Sequence, residues 1–415
     1  MTAKRTSATA LAACITLTLA ACGGNSDPVQ PKFSNFQPAS MVLGQTDLTS
    51  RVDGSVAPTA SSLSRPTGLA LSPAGTLYVT DYENNRVLGF SGVPTANGAG
   101  ASFVLGQDSS TSNIFSLTRT SQPLPTSLGV GAGKMVVSHY RDNRVVLFDP
   151  TPTASGAQPI RVFGQASYES DVHGCGADSL WGPIDAIVTP DGKVIVADAN
   201  NNRILVWTSA AEAQPALVIG QDSLATCAVN DDDQDGEPDA APTARTLSSP
   251  QRVWSDGVRL MVADARNHRV LIWNSFPARN FQPADLVLGQ GSFTKGEMND
   301  DNQDGTTDGH PSARTLSLPV SMAVDGNRLA IADDLNHRVL IWNSFPQKSF
   351  QPADVVLGQG SFAAGMRNDA NQDGVADPGP SANTFSLPVS VLFHEGNLLV
   401  ADSDNHRVLV FKPQR

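Results

Sequence analysis

The residues whose types and spacing could do chemistry lie in three acidic runs. These are Asp231-x-Asp233-x-Asp235-Gly236-x-x-Asp239, Asp300-x-Asn302-x-Asp304-Gly305-x-x-Asp308 and Asp369-x-Asn371-x-Asp373-Gly374-x-x-Asp377. Oxygen side chains at alternate positions, with glycine where the loop must turn sharply, are what a hard cation such as calcium requires. The exchange of Asp for Asn at the second position keeps an oxygen there. These runs hold 13 of the 40 acidic residues, and without them the formal charge of −12 becomes about +1. The acidity is therefore local. It argues against nucleic acid as a partner, which needs a basic surface.

The runs resemble EF-hand-like calcium loops, including the shorter ones of dockerins and thrombospondin type 3 repeats. Where an EF-hand places its bidentate Glu, this chain has Pro242, Pro311 and Pro380. A ligand is missing or comes from elsewhere, so the calcium expected here is weakly bound. Nucleophile and base constellations are absent from the sequence after the leader: it has no His-x-x-x-His pair, Gly-x-Ser-x-Gly elbow or P-loop. No catalytic residue is assigned. Asp185 and Arg252 are the charged residues beside the Pro-led strand starts, and an ion pair lining a channel is the expected outcome for them.

The elements that must position these loops are read from one unit, Leu316 to Gln359. It holds a Pro-led apolar run, a turn, a second run ending in Asp333, a tight reversal through Asn336, a third run opened by Arg338, and Val355 to Gln359. Short β-branched runs separated by Gly, Asn and Asp read as four antiparallel strands, labelled a to d. The third-strand Arg recurs at 86, 144, 203, 269, 338 and 407, and the fourth-strand Gln at 45, 107, 165, 221, 290 and 359. Six units of four strands predict an all-β, six-bladed propeller. The last unit lacks strand d, while Phe36 to Gln45 matches Phe281 to Gln290 without preceding strands. The N-terminal strand is thus expected to pair with the last blade and remove an open edge. If d runs up to the connection and a runs down from it, the d–a loops, the Pro-led starts and the b–c turns share one face.

Asp81, Asn84 and Arg86 begin a pattern that returns as Asp198, Asn201 and Arg203, as Asp264, Asn267 and Arg269, and again at Asp333 to Arg338 and Asp402 to Arg407. This pattern resembles the NHL repeat over nearly all of the chain after the leader and tether. Blade two departs from it with His139 in the Asp place. Asn tolerates a left-handed backbone and Asp with Arg can bridge the hairpin, so a structural clamp is expected in every blade. His268, His337 and His406 fall inside the turn and share that role. NHL-type propellers include peptide-amidating lyases, whose resemblance would imply zinc-binding histidines just after the inner-strand Pro. Those positions are Thr67, Thr126, Ile184, Gln251, Val320 and Val389 here.

The chain opens with Lys4 and Arg5, an apolar stretch from Ala8 to Ala21, and Leu19-Ala20-Ala21-Cys22. This is the layout of a secretory signal, and its end on Cys resembles a bacterial lipoprotein signal in which Cys22 bears the lipid. The expected division is a signal at 1–21, a flexible tether at 22–35 and a propeller at 36–415. In a Gram-negative source, Gly23 after the Cys resembles the pattern sorted to the outer membrane; outer membrane or cell surface is the expected location. Export makes a disulfide between Cys175 and Cys227 the expected fate of the remaining pair, with free thiols the alternative. The function expected is that of a monomeric, lipid-anchored, non-catalytic binding scaffold, its calcium-ordered loop face meeting a protein or glycan. The membrane is touched through the anchor alone. The alternative is an exported lyase or hydrolase with a metal in the central channel.

Overall fold

In the computed structural model, residues 31–414 are described; the expected signal and most of the expected tether, Cys22 included, lie outside them. The described residues form six four-stranded antiparallel sheets arranged as the blades of a propeller. Blade one runs Pro66–Leu71, Leu77–Asp81, Arg86–Phe90 and Phe103–Leu105, and the later blades repeat this order. Blade six takes Pro388–His394, Asn397–Asp402 and Arg407–Phe411, and is completed by Met41–Leu43. Met41 pairs with Val410 and Leu43 with Val408. The predicted closure is what the chain adopts.

The N-terminal latch begins earlier than the Phe36 boundary. Lys32 and Gln414 exchange both backbone hydrogen bonds, at 3.0 and 2.8 Å, and Phe33 is buried in the core between blades five and six. Asn35 Oδ1 accepts the Val356 N–H at 3.0 Å, while the Phe36 N–H donates to Val356 O at 3.0 Å. Asn280 and Phe281 treat Val218 in the same way. Residues 32–35 therefore belong to the ring, because they repeat a blade-to-blade tie that other blades supply from their c–d loops.

Burial on both faces of the middle strands explains the layers. Strands b and c carry Val, Ile and Leu on both faces, since each blade packs between two others, and Arg269–Trp273 and Arg338–Trp342 are buried along their whole length. Trp273 and Trp342, each 1% exposed, contribute on the order of 2–3 kcal/mol apiece by burial. Both indole N–H groups donate to carbonyls, of Gln282 and Gln351, at 3.0 Å. Among the described residues, no helix is long and apolar enough to cross a membrane.

Candidate functional site

In five of the six blades the b–c hairpin ends on the predicted Asp–Arg pair, as where Asp81 faces Arg86, Asp333 faces Arg338 and Asp402 faces Arg407; in blade two His139 faces Arg144. In blade five the Arg338 Nε–H donates to Asp333 Oδ2 at 2.7 Å, with both side chains fully buried. Arg338 Nη2 donates to the Ser312 and Thr315 carbonyls at 2.9 Å, so the same guanidinium holds the base of the d–a loop. Asn336 donates to the Asp333 carboxylate at 2.8 Å. The clamp therefore ties the turn to the loop beside it.

The left-handed residue of the turn is not that Asn. Asn84, Asn201, Asn267, Asn336 and Asn405 complete a single 3-10 turn, and the residue after each takes positive φ: Asn85, Asn202, His268, His337 and His406. That residue also reaches the next blade. Asn85 Oδ1 accepts the Leu124 N–H and Asn202 Oδ1 the Ser249 N–H, both at 3.0 Å. His268 Nδ1 and His337 Nδ1 do the same for Leu318 and Leu387, at 3.1 and 3.2 Å. Burial pushes both histidines down to about 4, and Arg367 adds to the effect at His337. Blade two solves its clamp with a neutral His139. Its Nδ1 accepts from Arg144 Nε, so Nε2 carries the proton toward Gln122 Oε1. Burial first, then the Arg144 charge, pushes His139 well down.

At the axis, Arg252 joins every other blade. Its Nε–H donates to Val320 O at 3.2 Å; Nη1 donates to Ser127 Oγ and, at 3.1 Å, to Asp185 Oδ1; Nη2 donates to Thr67 O and Val389 O at 3.1 and 3.0 Å. All five guanidinium N–H donors are engaged. Asp185, buried, also accepts from Ser127 Oγ at 2.6 Å and the Val253 N–H at 2.9 Å. A one-residue bulge precedes each of the two, between Pro183 and Asp185 and between Pro250 and Arg252. The expected ion pair is present, but it is the hub of the ring. Beside Arg252 the channel holds about 220 Å³, walled by Arg252 and by inner-strand residues such as Val130, Trp254, Val324 and Phe393, with no carboxylate, histidine or cysteine among the described lining.

The loop face surrounds that axis. Arg65 and Asp404 bridge blades one and six at 3.3 Å. Asp334 is nine-tenths buried beside them, and burial, then Asp333 and Asp404, push its carboxyl up to about 7. Cys175 and Cys227 are joined as a disulfide between the loops of blades three and four, with Cα atoms 6.3 Å apart. Blades one to three expose Val52, Val56, Ile114, Phe115, Val172 and Trp181 on this face. Trp181 stacks on His173 with ring centres 4.8 Å apart.

The acidic loops rise from the d–a connections of blades four to six. Asp231, Asp233 and Asp239 bring carboxylate oxygens within 4.8 Å of one another. Asp235 stands apart, with Oδ1 accepting the Glu237 N–H at 2.8 Å. Asp300, Asn302, Asp304 and Asp308, and likewise Asp369, Asn371, Asp373 and Asp377, form the same turn with more internal hydrogen bonds. Sequence reasoning missed Ser127 and the carbonyls of Thr67, Val320 and Val389 as partners of Arg252.

A family model described as the NHL repeat matches residues 63–90, 180–207 and 385–411, the first three strands of blades one, three and six. No curated protein matches the chain by sequence. Among solved structures, the chain is similar to the WD40 β-propeller domain of Doa1, with 11% identity, 91% of this chain and 97% of that chain covered and a TM-score of 0.43. Virginiamycin B lyase from Staphylococcus aureus is 11% identical, with 85% and 97% covered and a TM-score of 0.40. A streptogramin B lyase is 10% identical, with 85% and 95% covered and a TM-score of 0.44.

Proposed function

We propose that this NHL-repeat propeller is a non-catalytic interaction scaffold, exported and held to a membrane by lipid on Cys22, whose calcium-ordered loop face receives a protein or glycan partner. One observation carries the reading. The buried charges at the axis and in the clamp turns are paired within the ring, Arg252 with groups of five other blades and Arg338 with Asp333, which leaves the d–a loops as the variable, solvent-facing chemistry. The exposed apolar residues of blades one to three beside the acidic loops of blades four to six suit a partner surface.

The geometry of the latch supports the anchored orientation. Strand c of blade six runs from Arg407 at the loop face to Phe411 at the opposite face, where Lys32 meets Gln414. Cys22 precedes Lys32 by ten residues, a reach of roughly 33 Å when extended. An anchor there would bring the opposite face to the membrane and leave the loops pointing away.

Cys22→Ser is expected to move the protein from the membrane fraction to the soluble exported fraction; unchanged fractionation would sink the anchor. Calcium at ten to a hundred times its dissociation constant is expected to stabilise the ring by about 1.5–3 kcal/mol per site. Melting in calcium and in chelator reads this, and identical curves would remove calcium from the proposal.

A further inference from the structure

The three acidic loops lie in register, 69 residues apart, yet they differ at the positions that decide whether a cation is needed. In blade four, Asp231 is fully buried. Its Oδ2 accepts the Gly236 N–H at 3.0 Å, and its Oδ1, also buried, has no hydrogen-bond partner among the described residues. In blades five and six the matching oxygens are satisfied: Asp300 Oδ1 accepts the Asp304 N–H and Asp369 Oδ1 the Asp373 N–H, both at 3.1 Å. A buried, unpartnered carboxylate oxygen is costly unless a cation or proton meets it.

The second ligand position sharpens the contrast. Asn302 donates its amide to Asp308 Oδ1 at 3.3 Å, and Asn371 donates to Asp373 Oδ2 at 3.1 Å. The amide supplies inside the loop the positive end that a metal would otherwise supply. Blade four has Asp233 there, which can only accept. Its oxygen meets those of Asp231 and Asp239 within 4.8 Å. Asp232 is not a competitor, since Arg245 pairs with it at 2.8 Å, as Arg314 pairs with Asp301 at 2.9 Å.

Loop fixity differs in the same direction. Cys227, four residues before Asp231, is held to Cys175, whereas blades five and six have Gly296 and Gly365 at that place. Affinity in oxygen-ligand loops rises with the number of charged ligands and with rigidity. We infer that the blade-four loop alone is a built calcium site, with Asp231 Oδ1, Asp233 and Asp239 as its carboxylate ligands, and that the loops of blades five and six are self-satisfied relatives of it. This rests on the calcium reading above and narrows it from three loops to one.

Calorimetric titration of the Cys22→Ser protein with calcium chloride tests it, beside variants Asp233→Asn and Asn302→Asp. One calcium per chain is expected, at least tenfold tighter than any further binding. Asp233→Asn should abolish that event without lowering the melting temperature in chelator, and Asn302→Asp should add a second. Three equivalent sites, reduced to two by Asp233→Asn, would overturn the single-site assignment while leaving calcium in the loops. No binding in any variant would overturn both.

Discussion

Arg252→Ala should destabilise the ring by about 3–5 kcal/mol, the usual cost of removing one partner from a buried, hydrogen-bonded charge pair. The substitution removes donors from Ser127, Asp185 and the carbonyls of Thr67, Val320 and Val389 together. It also leaves the Asp185 side chain, 1% exposed, facing the axis without its counter-charge. Denaturant unfolding monitored by tryptophan fluorescence measures the effect. The double variant Asp185→Leu with Arg252→Met should lose less than Arg252→Met alone, because the stranded carboxylate is gone. A loss under 1 kcal/mol for Arg252→Ala would show that the blades hold together without their hub.

The second large effect is acid sensitivity through the histidines of blades four to six. His268 and His337 lie near 4 in the folded chain, against 6.5 for an ordinary histidine. The unfolded chain therefore binds protons first as pH falls. Stability is full above about pH 6.5 and is lost as pH drops toward 4, by on the order of 2–3 kcal/mol for each of these two. Asp334 opposes them. Its folded value, about 7, lies above the carboxylate norm, so its protonation favours the folded chain over much of the same range. A variant that separates the two is written in the molecule itself. Asn85 and Asn202 hold the same left-handed position and the same blade-to-blade hydrogen bond with an amide that does not titrate. The triple variant His268→Asn, His337→Asn, His406→Asn should fold at pH 7.5 and stay stable at pH 5 where the parent weakens. Equal slopes of stability against pH for the two proteins would refute the assignment.

What the sequence made legible was whatever recurs at fixed spacing. The recurring Asp and Arg of the hairpins and the Pro-led strand starts gave the blades and their register, because those features depend on neighbours a few residues away; the match of Phe36 to Gln45 with later blades gave the closure, because a repeated segment is recognised wherever in the chain it lies. The hub did not appear. Arg252 and Asp185 look like two isolated charges until six inner strands converge on one axis, and only then do Thr67, Ser127, Val320 and Val389 become its partners. The left-handed residue was misplaced by one position, since Asn84 and Asn85 are the same letter and only the turn's hydrogen bonds separate them. The three acidic runs read as equals for a related reason. Asp and Asn both offer an oxygen on paper, but the Asn302 amide turns its donor toward Asp308.

The latch has a further consequence, for how the molecule is made. Ser40 bonds to Val410, 370 residues away, and Met41–Leu43 supply the strand that blade six lacks. The earliest part of the ring to emerge during synthesis must therefore wait for the latest, and local folding of the other blades cannot complete the sheet. Until then two edges stand open at the same seam. Ring closure thus acts as a check of length: a chain cut short at either end keeps those edges and is exposed to aggregation or proteolysis, while a full-length chain hides them in one step.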